Sequence, residues 1–286
     1  MLVTAKEILK LAESRAIAVG SFNTPNLESL EAVLKAAERL QLPVIVQHAQ
    51  CHEGLTSLAV IGPIMVEMAK RATVPVCVHL DHGETLEYLQ QALEIGFTSI
   101  MYDGSNLPYE ENLENTRKAV ALAAKYGASV EAELGSMGRR ESGDGIPGDA
   151  DDTKIYTDPV RARSFVAETG IDALACSFGT THGIYLTKPK LDFNVVRSVR
   201  RETGGIPVVM HGGSGVSREE FALAIQAGVR KVNYFTYMDK AGGAAAAGRV
   251  RETEDTKPVF FSDLAVAARK AMQANVEEAI RMFALL

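Results

Sequence analysis

Apolar residues in this chain gather in short, nearly unbroken runs, and between the runs they recur at helical spacing. The runs are AIAVGSF (16–22), PVIVQH (43–48), VPVCVHL (74–80), TSIMYDG (98–104), ASVEAELG (128–135), IDALACSFG (171–179), IPVVMHG (206–212) and RKVNYFT (230–236). Continuous rather than alternating apolar character predicts strands buried on both faces, as in a parallel sheet covered by helices. The intervening segments are rich in Ala, Leu, Glu and Lys, as in LESLEAVLKAAERLQ and ENLENTRKAVALAAKYG, and the second ends on Gly127, a helix stop. Eight strand–helix units predict an α/β chain folded as a (β/α)8 (TIM) barrel. A doubly wound open sheet is the runner-up, but it more often stops at five or six strands.

Nothing in the composition divides the chain, so residues 1–286 are expected to form one barrel domain, with 240–286 as a C-terminal helical part. Within that part, AGGAAAAGRV (241–250) reads as a small-residue helix or turn, and 262–286 as a long helix that caps the barrel or meets a partner subunit.

Net charge is −6, which argues against nucleic acid or an anionic membrane as a partner. The N-terminus has no signal-peptide pattern, and no apolar run reaches membrane-spanning length. Cys51, Cys77 and Cys176 are odd in number and widely spaced, which suggests a reducing compartment, and a cytoplasmic protein is expected.

Barrels of this kind place their chemistry where strands run out into loops. Polar punctuation here falls at those points: SFN, HLDHGE, YDGS, EAELG, GTTHG, HGGSG and NYFT. Of six histidines, His82, His182 and His211 stand just beyond the third, sixth and seventh strands. Imidazoles converging from separate strands suit a zinc-like ion with an open position for substrate; three unrelated polar caps are the plainer alternative. His79 lies inside a strand and reads as a packed core residue, while His48 and His52 are placed on the loop after strand two, lining the mouth. Asp81, beside His82, is a candidate proton shuttle, or else a helix cap or a partner for a histidine. Glu131 and Glu133 share a face of strand five and need a cation nearby. Glu133 is the better candidate metal ligand, and Asp103 and Ser105 are candidate oxygen ligands of a second metal site. The glycine-rich HGGSG turn could cradle a phosphate through its backbone amides.

In order along the chain, SFNTPNLESL, HLDHGET, YDGS, VEAELGSMG, THGIY, HGGSG and KVN..T resemble the class II, metal-dependent ketose-bisphosphate aldolases, a family that includes fructose- and tagatose-bisphosphate aldolases. The resemblance covers nearly the whole chain and implies a carbon–carbon lyase of sugar metabolism. It implies zinc held by His82, His182 and His211, with cobalt or iron as alternatives and a monovalent cation as a further candidate. The metal would polarise the ketose carbonyl and stabilise the enediolate left by cleavage. Asp81 would take the proton from the hydroxyl beyond the scissile bond, and Glu141, on the loop after strand five, would exchange the proton at carbon. Glu133 matches a position associated with a metal site. Gly183, Gly212, Gly213, Ser214, Asn233 and Thr236 would hold the phosphate of the dihydroxyacetone phosphate half, and Asn23 would lie near the sugar. A homodimer or larger homo-oligomer is implied as well.

The chain also departs from the family pattern. Arg139 and Arg140 precede Glu141 where relatives carry glycines and a variable residue. Phe235 and Tyr237 bring bulk to the phosphate turn, Val266 replaces an arginine that reaches the distal phosphate, and Ala49 replaces a serine or threonine. These departures point away from a standard hexose bisphosphate. Arg139 and Arg140 are either a solvated loop pair or readers of a phosphate, sulfonate or carboxylate tail, and the ketone half could be unphosphorylated dihydroxyacetone. Lys231 is the one obvious residue for a Schiff-base alternative, and a metal-binding accessory subunit without catalysis is the non-enzyme alternative.

Overall fold

In the computed structural model, residues 1–135, 139–140, 156–183, 189–253 and 257–286 are described, with 139, 140 and 182 described through the backbone alone. Eight parallel strands close into a barrel. They are β1 (Val19–Asn23), β2 (Val44–Ala49), β3 (Val76–Gly83), β4 (Ser99–Tyr102), β5 (Ser129–Leu134), β7 (Ala173–Cys176), β9 (Val208–Met210) and β10 (Val229–Tyr234). β1 pairs with β10 to complete the ring, in register from Val19–Lys231 to Phe22–Tyr234. Two further short strands, β6 (Arg139–Arg140) and β8 (His182–Gly183), pair with each other outside the ring.

All eight expected strands are present, most of them shorter than the apolar runs suggested. The residues trimmed from the runs, such as Asp103 and His211, have become the polar rim. His48 lies in β2 and not in the loop after it. It is fully buried, with Nε2 3.1 Å from the Tyr88 hydroxyl.

Parity along each strand sorts the core. Val44, Val46, Val78, Leu80, Val130 and Ala132 pack outward against the helices, while Val19, Ile45, Cys77, Ala173, Ala175 and Val209 form a separate cluster inside the barrel. That inner cluster also contains Ala5, Ile8, Leu9 and Ala12 of helix α1 (Ala5–Arg15), which plugs the barrel's lower end. A capping box between Thr4 and Glu7 starts this helix.

The lower interior is therefore apolar, and polar interior residues stack toward the C-terminal ends of the strands. At the C-terminus, α2 (Thr236–Glu252) turns the small-residue stretch into helix and packs on α3 (Phe261–Phe283). Phe283, at the end of α3, makes edge-on contacts with the rings of Phe221 and Tyr234.

Candidate metal centre

In a regular strand, neighbouring side chains face opposite ways, so Asp81 and His82 could not both look into the barrel mouth. The ladder between β3 and β4 shifts register between Leu80 and Gly83, and His82 takes a φ of 47°. That left-handed conformation is uncommon away from glycine, and it brings both side chains to the same cavity. His82 Nδ1 lies 2.7 Å from Asp103 Oδ2, which orients Nε2 toward the mouth. The other Asp103 oxygen accepts from the Ser105 amide at 3.1 Å and its hydroxyl at 2.6 Å.

His211 enters from the end of β9. Its ring centroid is 4.7 Å from that of His82, with the planes at 78°. Its Nε2 lies 2.9 Å from Glu131 Oε1, and its Nδ1 lies 3.5 Å from Glu133 Oε2. Ligand atoms of Asp81, His82 and His211 fall within 4.8 Å of one another, as do those of His82, Asp103 and Glu133.

Asp81 is almost completely buried. Its Oδ2 accepts from Asn23 Nδ2 at 3.1 Å and Gln47 Nε2 at 3.0 Å, and its Oδ1 from Asn233 Nδ2 at 3.0 Å. A carboxylate has about four lone-pair sites. Three are filled by carboxamides, and the fourth, on Oδ1, lies on the side where His82 Nε2 stands 4.0 Å away. Burial pushes the Asp81 carboxyl up, but the imidazoles of His82 and His211 and then the Lys231 ammonium outweigh it and hold it well below the usual carboxylate range. Burial pushes His82 down, and the carboxylates of Asp81, Asp103 and Glu133 outweigh it, so its ring is raised to about 9. The carboxylates that raise this ring gather negative charge around it, and the same charge would attract a cation.

The cavity above, of about 500 Å³, is lined by Asn23, Asp81, His82, Gly183, the Gly212–Ser214 turn and the end of β10. Gly212 has a φ of 65°, and a Cβ there would strike the Thr181 carbonyl. A Cβ on Gly213 would come within 2.7 Å of Val232 Cγ1 and 2.8 Å of Asn233 O. The double glycine is thus required by packing whatever the turn binds. Across the mouth, His52 packs on Phe235 with ring centroids 4.8 Å apart.

The class II fructose-bisphosphate aldolase family model matches residues 3–285. The chain belongs to that family. Over 99% of its length and 97% of the relative's, this class II aldolase is 37% identical to a probable fructose-bisphosphate aldolase of Bacillus subtilis. It is equally identical, over the same shares, to a fructose-bisphosphate aldolase of Staphylococcus aureus. The crystal structure of the YdjI aldolase from Escherichia coli superposes with a TM-score of 0.86 at 35% identity, covering 99% of this chain and 97% of that one.

The donor set of this class II aldolase suits the divalent ion its family uses: a buried and a half-buried imidazole from different strands, each pinned by a carboxylate, with further carboxylates beside them. Of the residues expected at the site, Asp81, His82, His211, Glu133, Asn23 and Asn233 converge at the mouth, and Gly183, Gly212, Gly213, Ser214 and Thr236 line it. His182 opens β8, whose backbone pairs Arg139 with His182 and Arg140 with Gly183. Glu141 lies outside the described residues. Asp103 and Ser105 are engaged with His82 and with each other. Lys231 is 1% exposed beneath the cavity and donates to Glu131, away from the mouth that a Schiff base would need.

Gln47 was missed by sequence reasoning, although it offered a signal: a polar residue at an inward position of an apolar run. The contact between Glu131 and His211 had no such signal, because the two are far apart in sequence.

Proposed function

We propose that this class II aldolase reversibly cleaves an anion-bearing ketose, giving dihydroxyacetone or its phosphate and an aldehyde, with zinc bound by His82, His182 and His211. The observation that carries the reading is the pair His82 and His211, set edge-on at 4.7 Å with a carboxylate on one nitrogen of each and Asp81 beside them. A divalent ion bound there supplies a Lewis acid for the ketose carbonyl. Asp81, caged by three amides, keeps one acceptor site for the hydroxyl proton on the carbon beyond the scissile bond. As that oxygen becomes the aldehyde carbonyl, the carbon–carbon electron pair passes to the ketone half, where Glu141 exchanges the proton at carbon. The Gly212–Ser214 turn, with Asn233 and Thr236, holds the anionic end of the ketone half.

For the aldehyde half, the backbone pairing of 139–140 with His182–Gly183 supports a second, finer reading: Arg139 and Arg140 read a phosphate, sulfonate or carboxylate tail. The bulk of Phe235 and His52 at the mouth fits an unphosphorylated ketone half in that case. We further read the protein as a cytoplasmic homo-oligomer.

The test is turnover on a panel of ketose bisphosphates, ketose 1-phosphates and ketoses with acidic tails, before and after chelation. Loss of cleavage on chelation and its return with zinc is the expected result. Cleavage that survives chelation, with a substrate adduct trapped by borohydride, would replace this mechanism with a Schiff base. Equal residual rates for wild type and Asp81→Ala would instead favour an inert accessory subunit.

A further inference from the structure

Beneath the mouth, the barrel axis holds a polar chain that the bond-breaking steps do not use. Lys231 Nζ donates to Glu131 Oε2 at 2.7 Å, and Glu131 Oε1 lies 2.9 Å from His211 Nε2. On the other side, Lys231 Nζ is 3.4 Å from His79 Nε2, and His79 Nδ1 is 2.8 Å from Ser99 Oγ. The chain Ser99–His79–Lys231–Glu131–His211 crosses five strand positions, and none of its members is more than 3% exposed. Layers of aliphatic side chains usually fill such a barrel centre. A buried ion pair is costly to desolvate and contributes little stability for it, so its presence calls for another explanation.

Hydrogen-bond polarity supplies one. An ammonium only donates, so the His79 nitrogen facing Lys231 is the acceptor, and the proton of that ring sits on Nδ1, toward Ser99. The carboxylate of Glu131 only accepts. It takes one proton from Lys231 at Oε2, and at Oε1 it requires a proton on His211 Nε2. The neutral His211 ring is then left with Nδ1 as its lone-pair nitrogen, on the side of Glu133 and His82. Only a lone-pair nitrogen can ligate a metal. One buried ammonium thus sets the proton position of every link up to the candidate ligand.

We propose that Lys231 is a positioning residue for metal capture: through Glu131 it holds His211 as the Nε2–H tautomer, with the ligating Nδ1 toward the mouth. This rests on the metal-site reading above.

The test uses the full chain, freed of metal by chelation. Long-range nitrogen–proton NMR correlations of the His211 ring read the tautomer directly, and titration with Co2+ alone, followed by its visible absorption, reads affinity and ligand geometry. Wild type is expected to show Nε2–H and to bind Co2+. Lys231→Met is expected to show a mixed tautomer, an affinity weaker by about 10- to 100-fold and an altered Co2+ spectrum. Glu131→Gln, whose amide can donate or accept at that ring, is expected to fall in the same direction. Should Lys231→Met fail to fold, the wild-type ring still decides, because an Nδ1–H tautomer there overturns the proposal. Wild-type Co2+ binding with equal affinity in Lys231→Met overturns the positioning role alone. A wild type that shows Nε2–H but binds no Co2+ overturns the metal reading, and the positioning role with it.

Discussion

At the scale of single residues, the site works by restricting choice. Each imidazole has one nitrogen committed to a carboxylate, so the other nitrogen is the one presented to the mouth. Asp81 has three of its acceptor positions taken by Asn23, Gln47 and Asn233. Asp81→Asn keeps the size of the side chain but cannot take a proton, and turnover is expected to fall by roughly 100- to 10,000-fold with bound metal unchanged. Rates on the best ketose and metal content by elemental analysis check this together. His82→Ala removes a proposed ligand instead, so there the metal content itself is expected to fall. If His82→Ala retained stoichiometric zinc at the site, the ligand assignment would be wrong.

Among the elements, β3 carries the most consequence. Its register shift and the left-handed His82 convert an alternating strand into one that presents Asp81 and His82 together. Functional sites tend to hold such backbone strain because the surrounding structure over-determines it. Helix α1 has the opposite character: it touches no chemistry and fills the barrel's lower end with Ile8, Leu9 and Ala12. Leu9 is 1% exposed, and Leu9→Ala is expected to cost about 2–5 kcal/mol of stability. The activity of each folded molecule should stay unchanged. Urea unfolding beside specific activity measures both, and an equally large loss of specific activity would mean that the plug shapes the mouth as well.

For the whole molecule, a polar axis buried inside a parallel barrel ties stability to pH. Burial first, and then the Lys231 ammonium, lower the His79 pKa from 6.5 to about 3, so the folded protein holds this ring neutral. The unfolded chain binds a proton there below its ordinary value, and the fold does not until far lower. The contribution of His79 is therefore complete above pH 6.5 and is lost as pH falls toward 3, at about 1.4 kcal/mol per pH unit. Unfolding free energies at stepped pH, taken on metal-free protein, should show this acid slope. His79→Gln should flatten it, and an identical slope in the variant would assign the acid sensitivity to other groups.

Much of this was legible before folding, because strand periodicity and strand-end chemistry are local. Apolar runs give the eight strands, and polar residues that interrupt or end a run give Asp81, His82, His211 and the glycine turn. Motif order gives the family. The plug formed by α1 and the chain from Ser99 to His211 were not legible, since each depends on which distant residues share the barrel axis. The sequence alone determined which chemical groups stand at the rim, because parity and run length are properties of neighbours. Only the tertiary structure decided which nitrogen of each imidazole faces the mouth, because that depends on the acceptor a different strand places against the ring.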